Sequence, residues 1–286
     1  MKLAAMPACL AGGEAGINQH SVLRGSVALR SNEDWLTAPC RFDSCPYSNF
    51  SDYEVWLRAT GISFVARFVF YLFLVASPTR LRWKRLLRPL SRSVVATRTW
   101  DRVFQLLELL FLFDLYEAIS NMLSPSVRTL RPAELAVLYP VFGDSLPYHR
   151  IRIDERAHFG PRRYGIVYVS FHTINSWGPL TPALLVHECV HIWQYIHRGA
   201  LYIPRALAAQ RTRAGYDYGG PQGLRHARTL DDFNYEQMAT IIEDGYRLGA
   251  GLPLRYARVE LMSYGDRQAY ARFSGEIRAA AGPCVY

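Results

Sequence analysis

The chain has 286 residues and a formal net charge of +9, with 50% hydrophobic and 20% charged residues. That balance excludes a disordered or collagen-like chain, and the length suits one large domain or two small ones. The basic excess alone would suit nucleic acid, but no helix-turn-helix, zinc-finger or aromatic-interleaved pattern accompanies it, so no nucleic-acid partner is expected.

Residues 1–60 hold three of the five cysteines, Cys9, Cys40 and Cys45, among Gly, Ser and Asn. They read as an irregular segment that could serve as a propeptide. MKLAAMPACLAGG has one lysine and a proline-broken apolar core, which falls short of a secretory signal. Cys40 and Cys45 could bridge, yet five cysteines without framework spacing fit a reducing compartment better. The expected location is cytoplasmic or membrane-associated, with export by a specialised system as the other route.

Residues 61–78, GISFVARFVFYLFLVASP, form an apolar run interrupted by Arg67. A buried core helix, an interfacial helix and a spanning helix all fit that length, although the arginine is costly in hydrocarbon. Eight basic residues follow between Arg80 and Arg102, with Asp101 the one acid. An apolar run beside a cationic flank suits an anionic membrane surface through 61–102. Residues 101–123 read as one helix. Asp101, Gln105 and Glu108 fall on one side, Asp114, Glu117 and Asn121 on the opposite side, and LLFLF between them is apolar all round. Such a helix should be buried on most faces and could pack on 61–78, giving a helical region over 61–127.

Further on, YGIVYVSF at 164–171 has strand composition. Residues 182–198 read as a buried helix, with Thr181 as cap, Pro182 in the first turn and Gly199 as stop. Within it, LLVHECVHIWQYIHRG places His187, Glu188 and His191 in the order H-E-x-x-H. Side chains four apart on a helix stack on one face, so His187 and His191 can grip one metal ion. Glu188, about 100° round, can reach a metal-activated water as general base. Three buried titratable groups without a partner would cost several kcal/mol, which a metal would offset. Cys189 points roughly opposite to the histidine face and reads as a small buried residue. His172 could face the cleft, or serve as a lone structural turn histidine, and His149 and His158 have no spacing that supports ligation.

A catalytic zinc usually takes three protein ligands. One candidate is His197, which matches the metzincin pattern H-E-x-x-H-x-x-G-x-x-H, except that Gln194 stands where the helix-breaking glycine belongs. If the helix runs on, six residues turn His197 about 240° from His191. ELMSYG at 260–265 is similar to a metzincin Met-turn, with Met262 equally suited to a core. The other candidate is Glu236, in a second helix read from 231–251, capped by Asp231, Asp232 or Asn234 and ended by Gly249 or Gly251. A glutamate so placed is the third ligand of a gluzincin, but an acid in a first turn also stabilises a helix N-terminus. Thr240 and Asp244, one and two turns on, could orient a ligand histidine. Tyr216, Tyr218 and His226, between the two helices, could donate to an oxyanion.

From about Leu130 onward the chain resembles the HExxH zinc-peptidase-like domains associated with Rhs and Vgr proteins and with contractile injection systems. The matching pieces are LRPAELAVLYPVFGDSLPYHRIRI at 130–153, YGIVYVSFHTI at 164–174, the H-E-x-x-H-x-W-Q block, AGYDYGG at 214–220 and FNYEQMATIIEDGY at 233–246. Met238 stands where that family usually has a second Gln. The resemblance implies Glu236 as third ligand, Zn²⁺ as cofactor and peptide or protein as substrate. It also implies an α+β zincin-like domain over 128–286, with a small sheet and two metal-binding helices, preceded by the helical region. The other class of function is an inactive or metal-stabilised effector module that binds a partner or a membrane surface.

Overall fold

The computed structural model describes residues 98–280 except 125 and 159, together with 68, 69, 72, 82 and 83. The readings for 1–60, including the cysteine pairing, and nearly all of 61–78 lie outside these. Among the described residues the chain is mixed α+β, mostly helical, with one four-stranded sheet. None of the described helices is long and apolar enough to cross a membrane.

The expected single helix over 101–123 is two helices, α1 (Arg98–Leu109) and α2 (Leu112–Leu123). Phe111, with φ 59, breaks them apart. That left-handed step resets the helical phase, so the two polar sets share one side instead of opposing each other. Asp101, Gln105 and Glu108 of α1 and Asp114, Glu117 and Asn121 of α2 are all buried. They face the rest of the protein: Arg205 reaches Asp101 at 3.1 Å, the Ala200 amide donates to Glu108 at 2.8 Å and the His172 amide to Glu117 at 2.7 Å. The apolar side is therefore the outer one, against the expectation of burial on most faces.

Next come β1 (Val127–Thr129), α3 (Pro132–Phe142), two short 3₁₀ turns and β2 (Arg152–Asp154). Pro132 opens α3, and Glu134 accepts the Arg131 amide at its N-terminus. The strand expected over 164–171 is shorter. Gly165 in the left-handed region ends a one-turn helix α4 (Pro161–Tyr164), and Phe171 at φ 61 turns β3 (Tyr168–Ser170) back into β4 (Thr173–Asn175). A first loop residue at positive φ is what a two-residue hairpin requires, and the Tyr202 hydroxyl holds Phe171 there by accepting its amide at 3.0 Å. The sheet order is β1-β2-β4-β3, with β2 and β4 parallel and the outer pairs antiparallel.

α5 (Pro182–Arg198) has the expected bounds: Thr181 Oγ1 accepts the Leu184 amide and Gly199 at φ 84 ends it. It is buried along nearly its whole length, because α3, α6 (Tyr202–Gln210), β3 and a later helix, α8 (Tyr235–Gly249), surround it. After α7 (Gly220–His226), α8 (Tyr235–Gly249) starts at Asn234, whose side chain accepts the Gln237 amide at 2.8 Å while Gln237 answers on the Asn234 amide. Asp231 and Asp232 lie in a preceding 3₁₀ turn. α9 (Tyr264–Ala279) closes the described chain, with Phe273 and Ile277 in the same core as Ile192 and Ile241. Among the described elements, α5 and α8 share the most extensive contact, and the three side chains His187, His191 and Glu236 lie between them.

Candidate metal centre

His187 and His191 come from successive turns of α5, and Glu236 from the first turn of α8. One ligand atom from each lies within 4.8 Å of the others, and all three residues are buried. Glu236 Oε2 is 3.5 Å from Nε2 of His187 and 3.5 Å from Nε2 of His191. Ligand atoms of a tetrahedral site with bonds of about 2.1 Å stand about 3.4 Å apart, so this spacing fits one ion. The same oxygen is buried with no hydrogen-bond partner, a costly position that an ion would relieve. A set of two imidazole nitrogens and one carboxylate oxygen suits a zinc-like divalent ion.

Each of the three side chains is held from behind. His187 Nδ1 is 3.1 Å from Glu243 Oε2, whose carboxylate also receives Arg247 and Arg255. His191 Nδ1 is 2.9 Å from Gln194 Oε1, and the Gln194 amide nitrogen donates to the Tyr235 carbonyl at 2.8 Å. That second bond fixes which end of the amide faces His191, so the ring donates from Nδ1 and keeps the Nε2 lone pair for the centre. Gln210 donates to Glu236 Oε1 at 2.7 Å, leaving Oε2 toward the histidines.

The electrostatics follow from burial and from two carboxylates. Burial opposes charge on His187, but Glu236 and Glu243 overcome it and push the imidazole up to about 10. Burial and the charge of His187 oppose charge on His191, but Glu236 and Glu188 overcome them and raise it. Burial raises Glu236 and Glu243, yet the neighbouring cations win: His191 and His187 hold Glu236 well below the ordinary carboxylate range, and His187 with Arg247 and Arg255 brings Glu243 to about 2. Glu188 goes the other way. Burial raises it, the neighbouring imidazoles only partly offset this, and no described side chain hydrogen-bonds its carboxylate.

The remaining expected residues divide sharply. His197 is not brought to the centre; its Nε2 donates to the Ser145 carbonyl at 3.1 Å and its ring lies on Trp193. α5 continues through Gln194, so the rotation that the metzincin reading needed never occurs. Met262 and His226 line a separate cleft with Arg225 and Asp266, and His226 is exposed, so neither serves this centre. Tyr218 is consumed structurally: buried, it donates to Asp244 at 2.7 Å and contacts Tyr270 at 2.6 Å. Tyr216 stays beside the centre, half-buried, with its ring 6.0 Å from that of His187 and under Arg255; burial pushes its hydroxyl up to about 12. Thr240 donates to the Glu236 carbonyl at 2.9 Å and Asp244 accepts the Arg255 amide at 2.8 Å, so neither touches a ligand histidine. His172 pairs with Glu117, and Cys189 is a free, buried thiol.

Sequence reasoning missed Glu243, Gln194 and Gln210. Glu243 sits seven residues after Glu236, on the same helical face two turns on. Gln194 sits three residues after His191. Both spacings were readable, whereas Gln210 comes from α6 and carries no local signal.

Compared with known proteins, the chain is similar to the type VI secretion system spike protein VgrG2b of Pseudomonas aeruginosa, at 24% identity over 169 residues, 53% of this chain and 15% of that protein. The chain thus covers less than a fifth of the length of that relative, and the match gives it a Vgr-associated, bacterial context. No family model matches the chain, and no solved structure matches it.

Proposed function

We propose that the chain is a zinc-dependent metallopeptidase of gluzincin-like type in a zincin-like fold. The observation that carries this is the orphaned, buried Glu236 oxygen, 3.5 Å from the inward nitrogens of both H-E-x-x-H histidines. His187, His191 and Glu236 would hold the ion. Zinc, when bound, supplies Lewis acidity that makes water a nucleophile at neutral pH and polarises a carbonyl. Glu188, one residue along the helix from His187 and pushed by burial toward a more basic carboxylate, accepts the proton of the attacking water. Its oxygen then returns that proton to the leaving amine nitrogen as the C–N bond breaks. Tyr216, still protonated at neutral pH, is the donor for the developing oxyanion. β3, at the edge of the sheet and packed against α5, offers a strand along which an extended peptide can pair. The Vgr-associated context supports delivery with a contractile injection system.

The test is metal content of the full chain beside Glu236→Ala and His197→Ala, followed by hydrolysis of a peptide library. Zinc near one per chain, lost with Glu236→Ala and kept with His197→Ala, together with cleavage by the wild type, is expected. A wild type that takes up no zinc when supplied would end the reading. Stoichiometric zinc without any cleavage would favour a metal-stabilised binding module.

A further inference from the structure

Helices α1 and α2 are inside out. All four of their acids, Asp101, Glu108, Asp114 and Glu117, are buried against the protein, together with Gln105 and Asn121. Their outer side, Trp100–Leu123, holds ten of the twenty large hydrophobic side chains exposed among the described residues. Trp100 is 62% exposed, Leu106 54%, Leu110 66%, Tyr116 52% and Leu123 68%. Soluble surfaces rarely concentrate apolar residues in this way without a covering surface. The orientation is fixed by the bonds to Arg205, Ala200, His172 and Thr173, so the pair has no alternative rotation that would hide these residues and keep those partners.

We propose that this outer face docks on an anionic lipid bilayer. The charges choose the occupant. The face carries no exposed acid among its described residues, while Arg102 is exposed at its edge, reaching the Gln105 side chain at 3.3 Å. The sequence leading into it has eight basic residues from Arg80 to Arg102, of which Arg82 is buried on Asp114, and its one acid, Asp101, is turned inward onto Arg205. A second copy of the same face would bring like charges together, whereas anionic headgroups complement them. Trp100 and Tyr116 have the amphipathic rings that settle at headgroup level. Both helices have 12 residues, far short of a span, which fits a pair lying in the interface rather than crossing it. Val69, also exposed, extends the face, because its neighbours Phe68 and Leu72 pack on the α2 side chains Ala118 and Met122. This inference does not depend on the metallopeptidase reading.

The test is flotation of the full chain with vesicles of phosphatidylcholine alone or mixed with phosphatidylglycerol. The wild type should float with the anionic vesicles at least about tenfold better than with neutral ones, and less so at high salt. Leu106→Ser/Leu115→Ser/Ile119→Ser, all at exposed positions, should lose flotation and keep the wild-type circular dichroism. As an independent readout on the folded wild type, bromine-labelled acyl chains should quench tryptophan fluorescence, and Trp100→Phe should remove most of that quenching. A wild type that stays in the aqueous fraction, that floats equally with neutral vesicles, or that forms a dimer through this face and ignores lipid would overturn the proposal. So would a well-folded triple variant that floats as before.

Discussion

His187 Nδ1 lies 3.1 Å from Glu243 Oε2, and that carboxylate is itself gripped by Arg247 and Arg255. The histidine is thereby oriented by a residue two helical turns beyond the glutamate that shares its other face. Glu243→Gln keeps an acceptor but removes the charge. We expect zinc still to bind at saturation, with affinity lower by about 10- to 100-fold. Competition against a chelator of known affinity measures this, and an unchanged affinity would mean that Glu243 serves the arginines alone.

Glu188 should be separable from the metal. In Glu188→Gln, zinc content is expected to stay at the wild-type level while peptide hydrolysis falls by about 10²- to 10⁴-fold, the usual contribution of a positioned base. Parallel metal analysis and kinetics decide it; hydrolysis at the wild-type rate would remove Glu188 from the chemistry.

Metal uptake should release protons. In the metal-free protein the Glu236 and Glu243 carboxylates hold His187 up to about 10, against the effect of its burial, so near neutral pH it carries a proton that a metal must displace. The imidazole pKa is raised, so the proton-bound form dominates below about 10 and affinity climbs as pH rises toward that value, by about tenfold per unit for each proton displaced. Calorimetry in buffers of different ionisation enthalpy counts the protons. Uptake without proton release would show that His187 is neutral before the metal arrives.

The Arg205–Asp101 pair ties α6 to α1 with both side chains buried. Asp101→Ala leaves the guanidinium without its carboxylate and should cost roughly 3 kcal/mol. A melting temperature lower by several degrees is expected; an unchanged one would mean that water reaches Arg205 once the carboxylate is gone.

Gly223 is a second point of rigidity. A Cβ there would fall 1.9 Å from the Tyr218 carbonyl, and backbone cannot yield as a side chain would. Gly223→Ala should shift the 214–220 loop, lower stability by about 2 kcal/mol or more, and disturb Tyr216 beside the centre. Thermal melting measures the first effect and the kinetics of peptide hydrolysis the second, and unchanged values of both would mean that the loop absorbs the added methyl group.

How much of this was legible depends on how local each signal is. Thr181, Pro182 and Gly199 mark α5 at both ends, and the i, i+4 histidines need no tertiary information. Asn234 with Gln237 marks the start of α8 almost as clearly, and a helical spacing also leads to Glu243. The α1–α2 pair was misread because a constant 100° step was carried through Phe111, a residue with no side-chain preference for the left-handed region it occupies. That left-handed step is what brings both sets of acids to the inner side. The strand at 164–171 is shorter than its composition suggests for a similar reason: the turn at Phe171 is held by Tyr202, thirty-one residues away, which accepts its amide.

Gln194 stands at the position where a metzincin would have its helix-breaking glycine, and here its amide joins the His191 ring to the carbonyl of Tyr235, the residue just before Glu236. The link makes the centre self-aligning. Any slip of α5 along α8 that moved His191 would first break the bond to Tyr235, so the two histidines and the glutamate are kept in register by the protein itself.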